Sequence, residues 1–466
     1  MLEALRALLA GEDAWIVGGA VRDRLLGRPT DDFDVALAGD PERAAKALRR
    51  AVGGVAFSLS ATFGGWRVVA EGGSVDFLPL TGGTLTSDLA ARDFTVNALA
   101  EPVGGGEVVD PHGGQADLEA QRLRVVGPDS LTSDPLRVLR AVRLAAELGF
   151  AFDDDELARA AAPGLAGVAA ERVFAELKRI VCASSPVDAV RLMESVGASA
   201  VVLPELQALK GVSQSVYHDA DVYDHTLAVL GEVAQLEEAK SDPRVSSLLD
   251  EPLADELTRW QALRFAALFH DIAKPVTSRE RSDGRGASFV GHDTAGASVA
   301  RDILRRLRAS ERLADHVAAT TLHHLRVGFL VREQPLSRRS AFRYLRATAP
   351  WSVDVTVFTC ADRLATRGRN AEPATAAHLA RARGLLDYAF APAPAEPLVR
   401  GDDLARELGL KPGPQLGELL AQLEEDRFAG DISTREQALA RAREHLAGPP
   451  NSPRVRTVRT LDDFGG

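Results

Sequence analysis

At 466 residues the chain is too long for one ordinary core and is expected to divide into roughly two to four domains. Its 45% hydrophobic and 26% charged residues make a globular balance, and no stretch reaches the ~18 consecutive apolar residues of a membrane span, so no membrane partner is expected. The net charge of −11 excludes a uniformly basic, phosphate-coating surface, although a local patch is compatible with it, and the scarcity of lysine beside arginine fits a GC-rich genome.

The N-terminal stretch carries Glu3, Arg6, Glu12 and Asp13 where a secretory signal needs an apolar core. The two cysteines, Cys182 and Cys360, stand far apart and make no disulfide framework or metal spacing, so a cytoplasmic location is expected. To about residue 125, short β-like runs alternate with helices: AWIV at 14 to 17, DFDVAL at 32 to 37, WRVVAE at 66 to 71 and SVDFLPL at 74 to 80. This predicts a small α/β domain. From about Ser133 the pattern has a 3.6-residue period and predicts an all-helical remainder with no strand pair.

Gly18 and Gly19 follow AWIV and lead into a helix start, a tight turn whose backbone N–H groups, with Arg22, can hold a polyphosphate. Alone, such a pair is usually only a turn. In DDFDVAL, however, Asp32 and Asp34 lie two apart on a strand, so both carboxylates project from one face about 7 Å apart. Two hard oxygen ligands suit Mg²⁺, which can bridge a triphosphate and activate a 3′ hydroxyl. Asp76 is a candidate third carboxylate, though a lone Asp near a strand end is commonly a turn residue.

GGAVRDRLLGRPTDDFDVAL resembles the nucleotidyltransferase signature of the class II tRNA nucleotidyltransferase and bacterial poly(A) polymerase superfamily. RDFTVNALA at 92 to 100, DPLRVLRAVRLAAELGF at 134 to 150 and ERVFAELKRIV at 171 to 181 resemble its later motifs in the same order. The resemblance implies a polymerase β-like head with a small sheet, then an all-α neck, a helical body of HD type and a helical tail. It implies Asp32, Asp34 and Asp76 as catalytic carboxylates, and Gly18, Gly19, Arg22, Arg92, Asp93, Asn97, Asp134, Arg137 and Arg140 as nucleotide-binding residues. Boundaries of 1–127, 128–200, 201–390 and 391–466 are expected for head, neck, body and tail.

Physically, Asp134 and Arg137 put an acceptor and a forked donor at a fixed spacing on one helix face, and this pair can match the edge of cytosine. Uracil would present a carbonyl to the carboxylate and be rejected. The bland alternative for Asp134, before Pro135, is a helix cap. Arg140 is placed to hold phosphate or brace the pair. Ser133 and Ala91 depart from the family, which usually has Glu and Arg there.

Between the Asp76 strand and the RDF motif, only Phe77 to Ala91 intervene, fifteen residues. In family members that add the whole CCA this join is long and flexible, so the short join resembles the CC-adding subfamily. Cytidine addition to tRNA from CTP is therefore expected, with ATP use as the full-CCA alternative and a separate A-adding enzyme acting next.

The body carries seven of the chain's ten histidines between His218 and His324. The order of His225, His270 with Asp271, and Asp362 resembles the HD metal-dependent phosphohydrolases, with His292 added and His323 and His324 in the same series. A divalent transition metal or Mg²⁺ is expected there, serving a phosphomonoester or cyclic phosphate. A Pro and Ala run at 391 to 397 reads as a linker, and the tail after Pro449 as frayed. In the last unit, Gly401, Gly409 and the turn at Lys411, Pro412 and Gly413 are expected to cap helices or meet RNA phosphates. Two rivals are a poly(A) polymerase, which usually has a basic extension absent here, and an HD hydrolase with a degenerate head, which the intact carboxylates oppose.

Overall fold

The computed structural model of the chain describes residues 1–59, 64–214, 220–281, 286–367, 371–392 and 396–447. His218, the middle of the expected linker and the tail after 447 lie outside them. The chain forms two compact units, Met1–Val202 and Leu203–Gly466.

The first unit is built on a six-stranded sheet. Its strands are β1 (Ala14–Val17), β2 (Asp32–Leu37), β3 (Val55–Ser58), β4 (Trp66–Ala70), β5 (Gly73–Pro79) and β6 (Ala100–Pro102), in the order β3-β4-β5-β2-β1-β6. The β2–β5 pair is parallel and the other neighbours are antiparallel. Alternation divides the central strands: Phe33, Val35, Val68, Val75 and Phe77 are buried, while Asp34 and Asp76 point to the opposite face. The helix Pro41–Val52 buries Ala44, Ala45 and Leu48 and contacts β4 and β5; Asp40 caps it by accepting from the Glu42 N–H, with Pro41 in its first turn. At Gly73 (φ +125°) a Cβ would lie 1.9 Å from the Asp31 carbonyl, so glycine is required where β5 meets the start of β2.

The helix Leu136–Leu148, ended by Gly149 in the left-handed conformation, packs on Ala170–Val181. Strands β3 and β6 are absent from the four expected runs. Four exposed or half-exposed residues make β3, and three residues make β6, too little for a buried-strand signature. The all-helical expectation also needs correction. Ala151–Phe152 pairs with Arg122–Leu123, Pro252–Ala254 with Leu257–Thr258, and Arg279–Glu280 with Ala287–Ser288. Strands of two or three residues carry no readable period.

In the second unit, the helix Arg259–Phe269 is buried on nearly every side and begins with a capping box of Thr258 and Gln261. Buried Asp354 accepts from Arg259 Nε at 2.9 Å and from His316 Nε2 at 2.8 Å, and Trp351 stacks edge-on to His316. The terminal helices Gly401–Leu408, Pro414–Ala429 and Arg435–Ala447 close around Leu404, Leu419, Leu423, Ala438 and Ala442. Gly409 donates its N–H to the Ala405 carbonyl, so this turn is a plain helix cap.

Burial would raise the Asp354 carboxyl, but His316 and Arg259 hold it below its ordinary value. Its stabilisation is therefore present above about pH 4 and lost as the pH falls further. Asp354→Ala leaves the buried His316 imidazole without its carboxylate and the buried Arg259 guanidinium with only Glu251, at 3.7 Å, and is expected to cost about 3–5 kcal/mol. Urea denaturation at pH 7, followed by circular dichroism, checks this. An unchanged midpoint would refute the buried ion cluster as a stabilising device.

Candidate active site

Strand register assembles the first site. Parallel pairing sets Asp34 directly beside Asp76, and Asp32 beside Ser74, whose hydroxyl donates to Asp32. Asp76 is thus a mid-strand residue, not a turn residue, and three carboxylates gather on one open face. Arg67, opposite Asp76 on β4, donates through Nε and Nη2 to its two oxygens, both at 2.6 Å. Burial pushes the Asp34 carboxyl above its ordinary value; Arg92 opposes this rise and Asp76 adds to it. A divalent cation is the natural relief for such crowded anions, and Asp32, Asp34 and Asp76 are the residues that could hold one.

A cavity of about 890 Å³ opens over these groups, lined also by Gly18, Gly19, Arg22, Arg92, Asp93, Asn97, Arg137 and Arg140. Gly18 (φ +75°) donates its N–H to the Leu99 carbonyl, so that donor is occupied, contrary to the expected open turn. What the glycine provides is space, since a Cβ would lie 2.7 Å from Arg92 Nη1. One polar chain then runs across the wall. Arg22 donates to Asn97 Oδ1 at 2.6 Å, Asn97 donates to Asp93 at 3.0 Å, and Arg140 donates to Asp93 at 3.0 Å. Burial would raise the Asp93 carboxyl, but Arg140, Asn97 and the Phe94 N–H together hold it below its ordinary value.

Arg22, Arg67, Arg92, Arg140, Arg143 and Arg179 each pair with a carboxylate. Arg137 instead donates to the backbone carbonyls of Ala91 (2.8 Å), Ser130 (3.1 Å) and Arg92 (3.4 Å), and brings an uncompensated charge to the cavity wall. Asp134 does not line the cavity; it accepts from Arg172 at 3.1 Å. The expected shared face of Asp134 and Arg137 fails for a local reason. Pro135 keeps its predecessor out of the helical region, and Asp134 is extended (φ −142°), ahead of the helix. It does cap weakly, accepting from the Leu136 N–H at 3.3 Å.

The second site lies within the other unit. His225 comes from the helix Val222–Ala239, His270 and Asp271 end Arg259–Phe269, His292 opens His292–Arg306, His324 ends Glu311–His323, and Asp362 lies in Ser352–Ala365. Two groups share Asp271: His225, His270 and Asp271, and Asp271, His292 and His324. His225 Nε2 also lies 3.1 Å from Asp362. His270, His292 and His324 each donate through Nδ1 to a backbone carbonyl, of Ala267, Phe289 and Thr321, at 2.9, 2.6 and 2.6 Å. A carbonyl can only accept, so Nδ1 carries a proton in all three rings and Nε2 is the atom turned toward Asp271, open to a cation when the ring is neutral.

These donors fit a metal. Lys274 meets one Asp271 oxygen at 2.7 Å, but buried His270 Nε2 and the other oxygen, Asp271 Oδ1, make no hydrogen bond, and crowded polar atoms left unsatisfied are what a cation satisfies. Burial and then the neighbouring His292 and His270 push His324 down to about 4, while Asp271 is held well below its ordinary value against burial, chiefly by His270 and Lys274. His323 points elsewhere and accepts from Arg326. Neither Arg67 nor the role of His324 was anticipated. His324 was visible in the histidine series, whereas Arg67 is revealed only by strand register.

Residues 14–81 and 79–124 match the Poly A polymerase head domain, 155–210 the probable RNA and SrmB-binding site of polymerase A, and 222–366 the HD domain. The A-adding tRNA nucleotidyltransferase of Deinococcus radiodurans is 36% identical over 436 residues, spanning 92% of this chain and 94% of that protein. The chain belongs to the tRNA nucleotidyltransferase family. The CC-adding tRNA nucleotidyltransferase of Thermus thermophilus is likewise 36% identical, over 92% of this chain and 93% of that one. A Thermotoga maritima CCA-adding enzyme complexed with tRNA shares the fold, at 20% identity and a TM-score of 0.63 over 95% of both chains. This tRNA nucleotidyltransferase therefore has the head, neck, HD body and helical tail expected, and its family implies dependence on a divalent metal. No helix among the described residues is long and apolar enough to cross a membrane.

Asp34→Ala and Asp76→Ala are each expected to lower nucleotide incorporation by roughly 10²–10³-fold or more while tRNA binding persists. Single-turnover extension with a labelled nucleotide measures this, and full activity in either variant would remove that carboxylate from the chemistry. His270→Ala and Asp271→Ala are expected to release bound transition metal, read by elemental analysis, without stopping nucleotide addition. Metal content equal to wild type would defeat the assignment of these ligands.

Proposed function

We propose that this nucleotidyltransferase adds cytidine to the 3′ end of tRNA from CTP, stops after two residues, and leaves the final adenosine to a separate A-adding enzyme. The observation that carries the reading is the join between β5 and the residues around Arg92. It is short and tied down: Thr84 caps the helix Leu85–Ala90, Thr81 donates its N–H to Asp88, and Asp88 in turn holds Arg92. A segment so anchored offers no long arm with which to reshape the pocket for ATP after two cytidines. An A-adding reading has one observation in its favour, the equal identity to the Deinococcus radiodurans relative.

In this reading Asp32, Asp34 and Asp76 hold Mg²⁺, which when bound lowers the charge cost at the α-phosphate and favours ionisation of the attacking 3′ hydroxyl. The hydroxyl oxygen bonds to the α-phosphorus and pyrophosphate leaves. Gly18, Gly19 and Arg22 receive the triphosphate, and Arg92, Asp93 and Asn97 receive the ribose. Arg137, whose Nη1 is taken by two carbonyls, keeps one Nη2 N–H for the base edge, and Asp134 leaves Arg172 to accept the exocyclic amine. Arg140 braces Asp93. Residues 1–127 form the head, 128–200 the neck, 201–390 the body and 391–466 a tail directed at tRNA.

The second unit is proposed to hydrolyse a phosphomonoester or cyclic phosphate, a repair step at damaged tRNA ends. Its imidazole-rich ligand set favours a transition metal over Mg²⁺.

Incubating the protein with tRNA lacking CCA, or tRNA ending in CC, together with CTP, ATP or both, tests the specificity by product length on a sequencing gel. Two added residues that do not become three with ATP are expected. A third residue would mean full CCA addition, and ATP incorporation onto the CC-ended tRNA alone would make it an A-adding enzyme.

A further inference from the structure

The open face of the head sheet continues past its carboxylates. Asp34 pairs with Asp76, Asp76 with Arg67, and Arg67 with Phe57. Paired residues share a face, so one straight row crosses four strands as carboxylate, carboxylate, guanidinium and phenyl ring. The neighbouring row reads Asp32, Ser74, Val69 and Val55. At ~4.8 Å per strand, Phe57 stands roughly 10 Å from Asp76 and roughly 14 Å from Asp34.

The far end of these rows is apolar and uncovered: Val55 is 58% exposed, Phe57 45%, Leu59 40% and Val69 40%. Single exposed apolar side chains are ordinary, but four together at the outer end of the sheet, on β3 and β4 and in the residue after β3, call for an occupant. Continuity with the cleft indicates which. Arg67 and Ser74 line the cavity and also border the apolar strip. Gly18, Arg92 and Asn97 lie at the opposite end of the sheet, beside β1 and β6, where the arginines that suit a triphosphate gather. With that end taken by the incoming nucleotide, the other substrate must reach the carboxylates from the β3 side. That substrate is an RNA end, whose unpaired bases carry π faces that stack on aromatic rings irrespective of sequence.

We infer that Phe57, flanked by Val55 and Val69, is a stacking platform for an unpaired base close behind the attacking 3′ hydroxyl, with Arg67 beside the intervening phosphate. The stacked base lies ~3.4 Å short of the ring, so at ~3.4 Å per stacked nucleotide the remaining ~7–10 Å correspond to roughly two to three nucleotides from the end. The inference rests on the nucleotidyl-transfer reading of the head and adds to it where the acceptor strand runs. Phe57 touches no reacting atom, so its effect falls on acceptor binding and not on the chemical step.

The test uses the full chain and a tRNA ending in the first C of its CCA end, with 2-aminopurine as its second nucleotide from the 3′ end, the unpaired one next to the acceptor stem. Wild type is expected to quench the fluorescence on binding. Phe57→Ala is expected to lose the quenching and to raise KM for the tRNA roughly ten-fold, the scale of one base stack, with KM for CTP unchanged. Phe57→Trp is expected to keep both, which separates a stacking role from damage to the edge strand. Unchanged quenching and tRNA KM in Phe57→Ala, with cytidine still added, would overturn the platform and leave the transferase reading standing. Failure of wild type to extend or bind any tRNA would overturn both. Sedimentation showing a wild-type dimer that Phe57→Asp dissociates, with tRNA KM unaltered, would assign the strip to a second copy of this chain and overturn the inference as well.

Discussion

The parallel pairing of β2 with β5 is the constraint on which the first unit turns. It brings Asp34 beside Asp76, more than forty positions away, and seats Asp32 by Ser74. Carboxylates so close repel one another, and burial of Asp34 adds to the cost, as its raised pKa records. The surrounding structure offsets this with Arg67 across β4, with Arg92 behind Gly18, and with a hydrophobic reverse face whose packing does not let the strands slide. A one-residue slip of β5 would exchange Asp76 for a buried apolar neighbour, so the same burial that stabilises the sheet also fixes the register of its chemistry.

The second unit reaches a similar end by helices. Asp271 is gathered among imidazoles by four different helices, and backbone carbonyls dictate which ring nitrogen each of three histidines presents. Ala267 and Thr321 lie in the last turns of their helices, where carbonyls otherwise lack a partner, so for His270 and His324 helix termination and ligand orientation are solved by one hydrogen bond. The two sites thus share a principle: unfavourable charge or lone-pair crowding is tolerated because rigid, well-packed elements carry it, and a cation is what relieves it.

Nucleotide choice is the property least attached to any single contact. Arg137 is positioned by carbonyls of residues 91, 92 and 130, and Asp134 is held by Arg172, so the two residues proposed to read a base are held by three separate segments. An A-adding and a CC-adding relative match this chain at the same 36% identity, so overall likeness does not decide the nucleotide.

The sequence by itself determined what is local. Asp32 and Asp34 share a face because strand periodicity is two, glycines mark the turn after AWIV, and His270 with Asp271 sits at the foot of an apolar helix; these follow from spacing within one element. Family resemblance supplied the order of the motifs, and hence the head, neck, HD body and tail. Tertiary structure decided the rest, because pairings between distant segments leave no local period. Arg67 is an ordinary strand residue until β4 sets it opposite Asp76. Asp134 looks like the partner of Arg137 until Pro135 turns it toward Arg172. Phe57 belongs to a strand too short and too exposed to be read, and acquires a neighbourhood only when four strands line up.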